Sequence, residues 1–260
     1  DGSPAPPPAA PAPDSSIASA ALNAVSYSNP GPWESLSSDA KRLVSLDAFD
    51  GARVDVNRQL SPAFAVNHNW WMGTQALPGG KTYTFSAQFV PSPSSFCMAR
   101  VTADGQTEGR IHALLSGDPS SSNVTSKLVV VTSPGQAGGN DQSVLELDAA
   151  QPSWTGNLKL GSMAGGDYLS LSFLQAVTPR LSLGGDASYI GVQSASAASY
   201  GARYAAPSWT AALQYSGMQG AVAASYRKVV TRDRVSLGAE LQFSPQTMDS
   251  NVVLAGEFNT

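Results

Sequence analysis

From Asp50-Gly51 onward, apolar and polar residues alternate with period two over most of the chain. The stretch 167–190, DYLSLSFLQAVTPRLSLGGDASYI, shows the pattern. Leu169, Leu171 and Phe173 alternate with Ser170 and Ser172. Leu181, Leu183, Ala187 and Tyr189 alternate with Ser182, Gly184, Asp186 and Ser188. Between the runs lies Ala176-Val177-Thr178-Pro179. Successive side chains of a strand point to opposite faces, so period two predicts strands, and Thr-Pro predicts a turn. The same reading predicts strands at 52–60, 64–73, 81–90, 96–104, 107–116, 122–132, 143–150, 153–161, 168–177, 180–190, 198–206, 208–216, 219–228, 234–244 and 251–260. Most connections are short, such as Ser61-Pro62-Ala63, Asp104-Gly105 and Ser216-Gly217-Met218. Short connections make hairpins, and successive hairpins make an antiparallel meander. A sandwich needs longer crossovers.

The direction of the apolar face decides the class. In the strand from Lys81, Tyr83, Phe85, Ala87 and Phe89 oppose Thr82, Thr84, Ser86 and Gln88. In the strand from Arg234, Val235, Leu237, Ala239, Leu241 and Phe243 oppose Ser236, Glu240 and Gln242. The polar faces collect Arg53, Asp55, Glu108, Arg110, Lys127, Glu146, Asp148, Lys159, Asp186, Arg203, Arg227, Glu240 and Glu257. A barrel of about fifteen strands is too wide for side chains to fill. The consistent arrangement is an all-β, up-and-down transmembrane barrel, apolar toward lipid and polar around water. Aromatics near strand ends fit interfacial girdles: Tyr83, Phe89, Tyr168, Tyr189, Tyr204, Trp209, Tyr215 and Phe243 are assigned to the apolar face. A soluble β-sandwich binding module, with these aromatics packed inside, stays open at this point.

The first fifty residues read differently. Residues 1–28 form a Pro/Ala-rich tail, with a short Ala-rich helix expected at 14–25. Proline lacks the amide N–H and resists helix and sheet. Residues 29–50 contain an amphipathic helix, expected over 32–46, with Trp33, Leu36, Ala40, Leu43 and Val44 on one face. Pro32 and Glu34 suit its start, and Lys41 and Arg42 suit its end. Residues 51–260 are the barrel.

Composition narrows the function. Charged residues are 13% of the chain, about half the usual share. A net charge of −4 and no basic stripe exclude a nucleic-acid partner. One cysteine, Cys97, excludes a disulfide framework and reads as a small apolar filler. Residues 1–13 lack the basic and apolar regions of a signal peptide, and no run of eighteen apolar residues exists. His68 and His112 lie in neither a nucleophile-elbow nor a metal-spaced context. GSMAGG (161–166) is read as a loop without the Lys-Ser/Thr of a phosphate cradle, and NVT (123–125) as a sequon without use. The expectation is no enzyme, no metal and no cofactor.

Three stretches resemble the Tom40 family, the pore-forming barrels of the translocase of the outer mitochondrial membrane. The first is NPGPWESLSSDAKRLVSLDAFDGARVDVNRQLSPAFAVNHNW (29–70). The second is FLQAVTPRLSLGGDASY (173–189), and the third runs over 200–250. The metabolite porins of that membrane, the voltage-dependent anion channels, share the barrel but lack the Asn-Pro-Gly approach to the helix, and rank second. The resemblance implies a barrel of about nineteen strands closed by parallel pairing of its first and last. Some fifteen are legible here, so the last strands are expected to be missing from this chain. It also implies a multi-pass barrel of the mitochondrial outer membrane that passes unfolded precursor proteins with basic presequences. The implied partners are receptor and small single-helix subunits, membrane lipid and further barrels. The helix would sit inside the lumen, with Trp33, Leu36 and Leu43 on the wall and Lys41 and Arg42 toward water. The expected presequence path is Asp55, Glu108, Glu146, Asp148, Asp186, Glu240 and Glu257, with Arg53, Arg110, Lys127 and Arg203 beside them.

Overall fold

The computed structural model describes residues 29–45, 50–75, 78–118, 122–133, 141–163, 165–232 and 234–258. The tail and its expected helix at 14–25 lie outside the described residues. Fifteen strands follow in sequence. They are β1 (Ala52–Ser61), β2 (Phe64–Met72), β3 (Lys81–Ser92), β4 (Ser95–Thr102), β5 (Thr107–Asp118), β6 (Ser122–Thr132), β7 (Gln142–Ala150) and β8 (Trp154–Met163). After these come β9 (Gly166–Ala176), β10 (Leu181–Ile190), β11 (Ala195–Ala205), β12 (Trp209–Ser216), β13 (Ala221–Thr231), β14 (Val235–Ser244) and β15 (Asp249–Phe258). All belong to one antiparallel sheet in strict sequence order, with β1 and β15 as its two edges. Among the described residues those edges do not pair, so the closure implied by the resemblance is not formed here.

Each expected strand is present, with ends shifted by at most three residues. Where a strand is longer than expected, as in β3, β5 and β8, the hydrogen-bonded ladder continues past the last clearly alternating side chain. GSMAGG is a correction of this kind. Gly161, Ser162 and Met163 end β8, Gly166 opens β9, and Gly161 pairs with both Val144 and Tyr168. A glycine weakens the side-chain signal without removing the backbone donor and acceptor.

The registers fix the faces. Asp186 lies opposite Ser172 and Ser199, whereas Ala187 lies opposite Leu171 and Ala198. Extending this pairing strand by strand puts Leu171, Leu183, Leu213, Leu237 and Leu254 on one outer face, all exposed. Such a row of exposed leucines has no place in water and is what a barrel presents to lipid. Tyr168 corrects the aromatic girdle: it pairs with Ile190 and Gly161 and shares the inner face of Ser170 and Ser172. Position near a strand end suggested the girdle; the period of two overrules it.

The N-terminal segment lies on the inner face. Its helix is shorter than expected and broken. Trp33–Ser35 is a 3-10 turn, and α1 spans only Ser38–Val44. Ser37 between them has φ −106° and ψ 8°. The hydroxyls of Ser35 and Ser38 donate to the carbonyls of Pro32 and Ser35, each at 2.7 Å. Serines that bond backward to nearby carbonyls compete with regular helix, which accounts for the break. Trp33, Leu36 and Ala40 are buried, and Trp33 and Leu36 cluster with Leu174 of β9 and Ala212 of β12. Burying each large side chain is worth roughly 1.5–3 kcal/mol. Two glycines make room on the wall. A Cβ at Gly201 would meet Leu36 at 2.8 Å and Trp33 at 3.0 Å, and one at Gly238 would meet Leu43 at 3.1 Å.

Strand order also sets the rims. β1 begins at what we term the near rim, so every odd strand ends at the far rim. Asn29 is bonded to the β7–β8 turn at the far rim, and α1 contacts β13, β14 and β15. Asp50 is held at the near rim, where its carbonyl accepts Trp71 Nε1 at 2.8 Å and its carboxylate accepts Gln75 N at 2.7 Å. Residues 29–45 therefore lie against the inner face toward the far rim, while Asp50 stands at the near rim.

Candidate functional site

The interior begins at a built joint. Asn29 Nδ2 donates to Gln151 O at 2.7 Å, and its Oδ1 accepts from Gly31 N at 2.7 Å and Thr155 Oγ1 at 3.1 Å. Gly31 has φ +79°, a backbone only glycine adopts freely, and it turns the chain into Pro32. Two ion pairs then hold the helical segment from either side. Lys159 Nζ of β8 lies 2.5 Å from Glu34, and Arg203 Nη2 of β11 lies 2.6 Å from Asp39. Arg203 Nη1 also donates to Pro30 O at 3.4 Å. Apolar contacts press the segment on the wall; these pairs set its position along it.

The inner wall is a mosaic of paired charges. Arg53 Nε is 2.8 Å from Asp55, which also accepts Asn69 Nδ2. Glu108 is held between Arg100 and Arg110. Lys127 Nζ lies 2.7 Å from Glu146 and 3.7 Å from Asp148, and Lys159 lies 3.4 Å from Glu146. Asn157, 4% exposed, donates to both Glu146 and Asp148, and its own Oδ1 has no partner. The cross-strand pairs follow from register: Arg100 faces Glu108, Lys127 faces Glu146, and Glu146 faces Lys159. Opposite charges directly across a ladder stabilise it.

The remaining acids differ in access. Among the described residues Asp186 forms no ion pair, and it accepts Ser170 Oγ at 3.0 Å. Glu240 accepts Gln242 Nε2 at 3.0 Å and is only 8% exposed. Glu257 is exposed on the edge strand β15 and enters no ion pair among the described residues. So Asp55, Glu108, Glu146, Asp148, Asp186, Glu240 and Glu257, with Arg53, Arg110, Lys127 and Arg203, all occupy inner-face positions. They do not share one environment. Within the segment, Trp33 and Leu36 are buried, Leu43 is half-buried against Gly238, and Lys41 and Arg42 are exposed.

Sequence reasoning missed Leu174, fully buried on the inner face under the segment, and the roles of Glu34 and Asp39 as partners of the wall. Leu174 did leave a signal, since it falls in phase with Ser170 and Ser172 rather than with Leu171. His68 faces outward, where its Nδ1 is 2.8 Å from Tyr83 OH and its ring stacks on Trp70. Cys97 also faces outward, opposite Phe89 and Ile111. Among the described residues no cluster of His, Cys, Asp and Glu could hold a metal ion, and no helix is long and apolar enough to cross a membrane.

Comparison with known proteins agrees with this geometry. A Xenopus laevis mitochondrial import receptor subunit TOM40 homolog is 29% identical over 234 residues, 87% of this chain and 66% of that one. The Neurospora crassa subunit tom40 is 31% identical, over 84% and 61%. The Saccharomyces cerevisiae subunit TOM40 is 30% identical, over 82% and 56%. The chain thus spans a little under two thirds of the length of such relatives. Among solved structures, a triple mutant of the Rh. blastica porin superposes with a TM-score of 0.56, covering 78% of this chain and 87% of that one. At 9% identity this likeness concerns the fold alone. Residues 29–260 match the Eukaryotic porin family, and with its single antiparallel meander, lipid-type outer face and polar interior the chain belongs to that family.

Proposed function

We propose that this chain forms the barrel of a protein-conducting pore in the mitochondrial outer membrane, passing unfolded precursor polypeptides through its polar interior. The observation that carries the proposal is the inner face itself. It is lined by charged, amide and hydroxyl side chains, and residues 29–45 are pinned against it by two ion pairs and an apolar cluster. The relatives named as import receptor subunits favour protein cargo over small metabolites. Those names describe subunits of an import receptor; the partners we propose are receptor and small single-helix subunits, membrane lipid and further barrels.

Basic presequences are drawn along the inner acids. Acids already matched by a lysine or arginine contribute little net field, because the partner cancels them at a distance. Asp186, Glu240 and Glu257 enter no ion pair among the described residues; Glu240 is buried, so Asp186 and Glu257 carry most of the attraction, with Asp55, Glu108, Glu146 and Asp148 acting through the wall's local structure. Weak and distributed sites let a chain enter and also leave.

The test is membrane extraction followed by native electrophoresis and import of a basic-presequence substrate. An assembly of several barrels and small subunits, with import lost on depletion of the protein, is expected. A free oligomer with anion-selective conductance and normal import would assign the protein to metabolite exchange instead.

A further inference from the structure

A small space lies beneath the break in the helical segment. Its volume is about 10 Å³, and the polar residues lining it are Ser37, Asp39, Arg203, Thr210 and Ser225. Leu36, Ala40 and Ala212 add apolar walls and are themselves buried. Arg203 Nε is buried and finds no acceptor among the described residues. Ser37 and Ser225 are each 8% exposed. Among the described residues, the hydroxyls of Ser37, Thr210 and Ser225 enter no hydrogen bond. The neighbouring serines behave differently, since Ser35 and Ser38 both donate to carbonyls of the segment. One N–H donor and three hydroxyls therefore meet at one place, from the break itself and from β11, β12 and β13. Buried polar groups left unmatched are costly, so this convergence calls for a shared partner.

We infer that this space holds one ordered water molecule, which ties the break at Ser37 to the inner wall. A cavity of about 10–15 Å³ is the least that admits a water, and a bound water needs two to four polar partners. The Arg203 Nε–H donates to its oxygen, and its two hydrogens go to the hydroxyl oxygens or to the second carboxylate oxygen of Asp39. Charge selects a neutral ligand. Arg203 is already matched by Asp39 at 2.6 Å. A halide would bring an unmatched negative charge into a buried site, and a cation would meet the guanidinium. A bridging water is nearly as good as a direct hydrogen bond, and salt does not screen it as it screens an ion pair. The segment thus gains a hold at the point where its backbone leaves the helical path, between the Trp33–Leu36 anchor and α1. This concerns the seating of the segment and stands apart from what the pore conducts.

The test is water–protein cross-relaxation by NMR on the full-length protein in micelles, read at the methyl groups of Ala40 and Ala212, which carry no exchangeable proton. Cross-peaks to water with the sign of a long-lived bound molecule are expected there. Thr210→Val keeps the shape of the side chain and suits a strand, and it removes only the hydroxyl. The cross-peaks should weaken, and trypsin should cleave after Arg42 roughly threefold to tenfold faster. Ser225→Val, which fills the space, should abolish the cross-peaks; should that variant not fold, Thr210→Val decides alone. Cross-peaks with the sign of surface water, or unchanged in Thr210→Val, overturn the inference. Cross-peaks lost with cleavage at the native rate overturn the hold on the segment. Exchanging chloride for bromide separates water from an ion: methyl shifts that titrate with the halide overturn the neutral ligand. Neither import nor conductance enters the readout, so failure of the pore reading leaves this result standing.

Discussion

Glu108 shows how much the inner wall depends on individual matches. It is 7% exposed, and two guanidinium groups converge on it from β4 and β5. Glu108→Gln leaves both arginines without a counter-charge, while the arginines themselves remain half exposed. The expected loss is about 1–3 kcal/mol, between the values for surface and buried pairs. Denaturant unfolding in detergent measures it, and an unchanged midpoint would show that water already screens the trio. The pair between Arg203 and Asp39 makes a second prediction. Arg203→Met removes the donors to Asp39 and to Pro30 O, and charge-assisted hydrogen bonds of this kind contribute about 1.5–3 kcal/mol. The segment should loosen, and trypsin should cleave faster after the exposed Lys41 and Arg42. Cleavage at the native rate would assign the hold on the segment to its apolar contacts alone. The charges themselves were visible in the sequence. Their partners were not, because Arg100 meets Glu108 and Lys127 meets Glu146 only once the register of neighbouring strands is set.

At the level of elements, a one-residue slip of any strand would exchange its whole lipid face for its water face. Cysteines at Phe85, Leu171, Leu183 and Leu237 should resist a charged thiol reagent in membranes, and those at Asn57, Gln88 and Asp186 should react. The opposite pattern would reverse the two faces. Leu183→Arg should cost roughly 2–4 kcal/mol if its position lies near the bilayer midplane. The helical segment offers a separate test. Gly201→Val places a Cβ within 3.0 Å of Leu36, Trp33 and the Leu213 carbonyl. The side chains on the segment must move, and the segment should be displaced from β11, again read as faster cleavage after Arg42. Strand positions were legible because alternation persists over eight or more residues at a time. The helix was less so. Trp33, Leu36 and Ala40 of its expected apolar face are buried, but its regular part is the seven residues of α1, because serine hydroxyls near Ser37 capture backbone carbonyls.

For the whole molecule the decisive quantity is the net field of the interior. Replacing Asp186 and Glu257 with Asn and Gln should lower cation preference and slow the entry of a basic presequence. The wild-type advantage should shrink as salt rises, since screening acts over about 8 Å at physiological ionic strength. Replacing Glu146 and Asp148 should change selectivity less and stability more, because Lys127 would lose both of its partners and Lys159 one of its two. Equal selectivity changes in the two double variants would show that pairing does not mute these acids. The measurements are reversal potential under a salt gradient and import at low and high salt.

What the sequence determined by itself is whatever depends on local periodicity: the strands, their order, the short hairpins and the two unlike faces. Each hairpin ties a strand to its neighbour, so the meander follows from alternation and turn residues without any long-range information. Tyr168 shows that this logic outranks residue type, since its phase puts it inward although its chemistry suggested the girdle. The tertiary structure decided what depends on contacts between distant segments. Leu36 lies on Gly201, Glu34 is bonded to Lys159, and Asp39 to Arg203, each across more than a hundred residues. Such contacts arise only when the sheet curves around the N-terminal segment, and nothing in the spacing along the chain encodes which wall residue will be opposite. The same curvature decides which acids of the wall, among the described residues, are held in ion pairs and which are not.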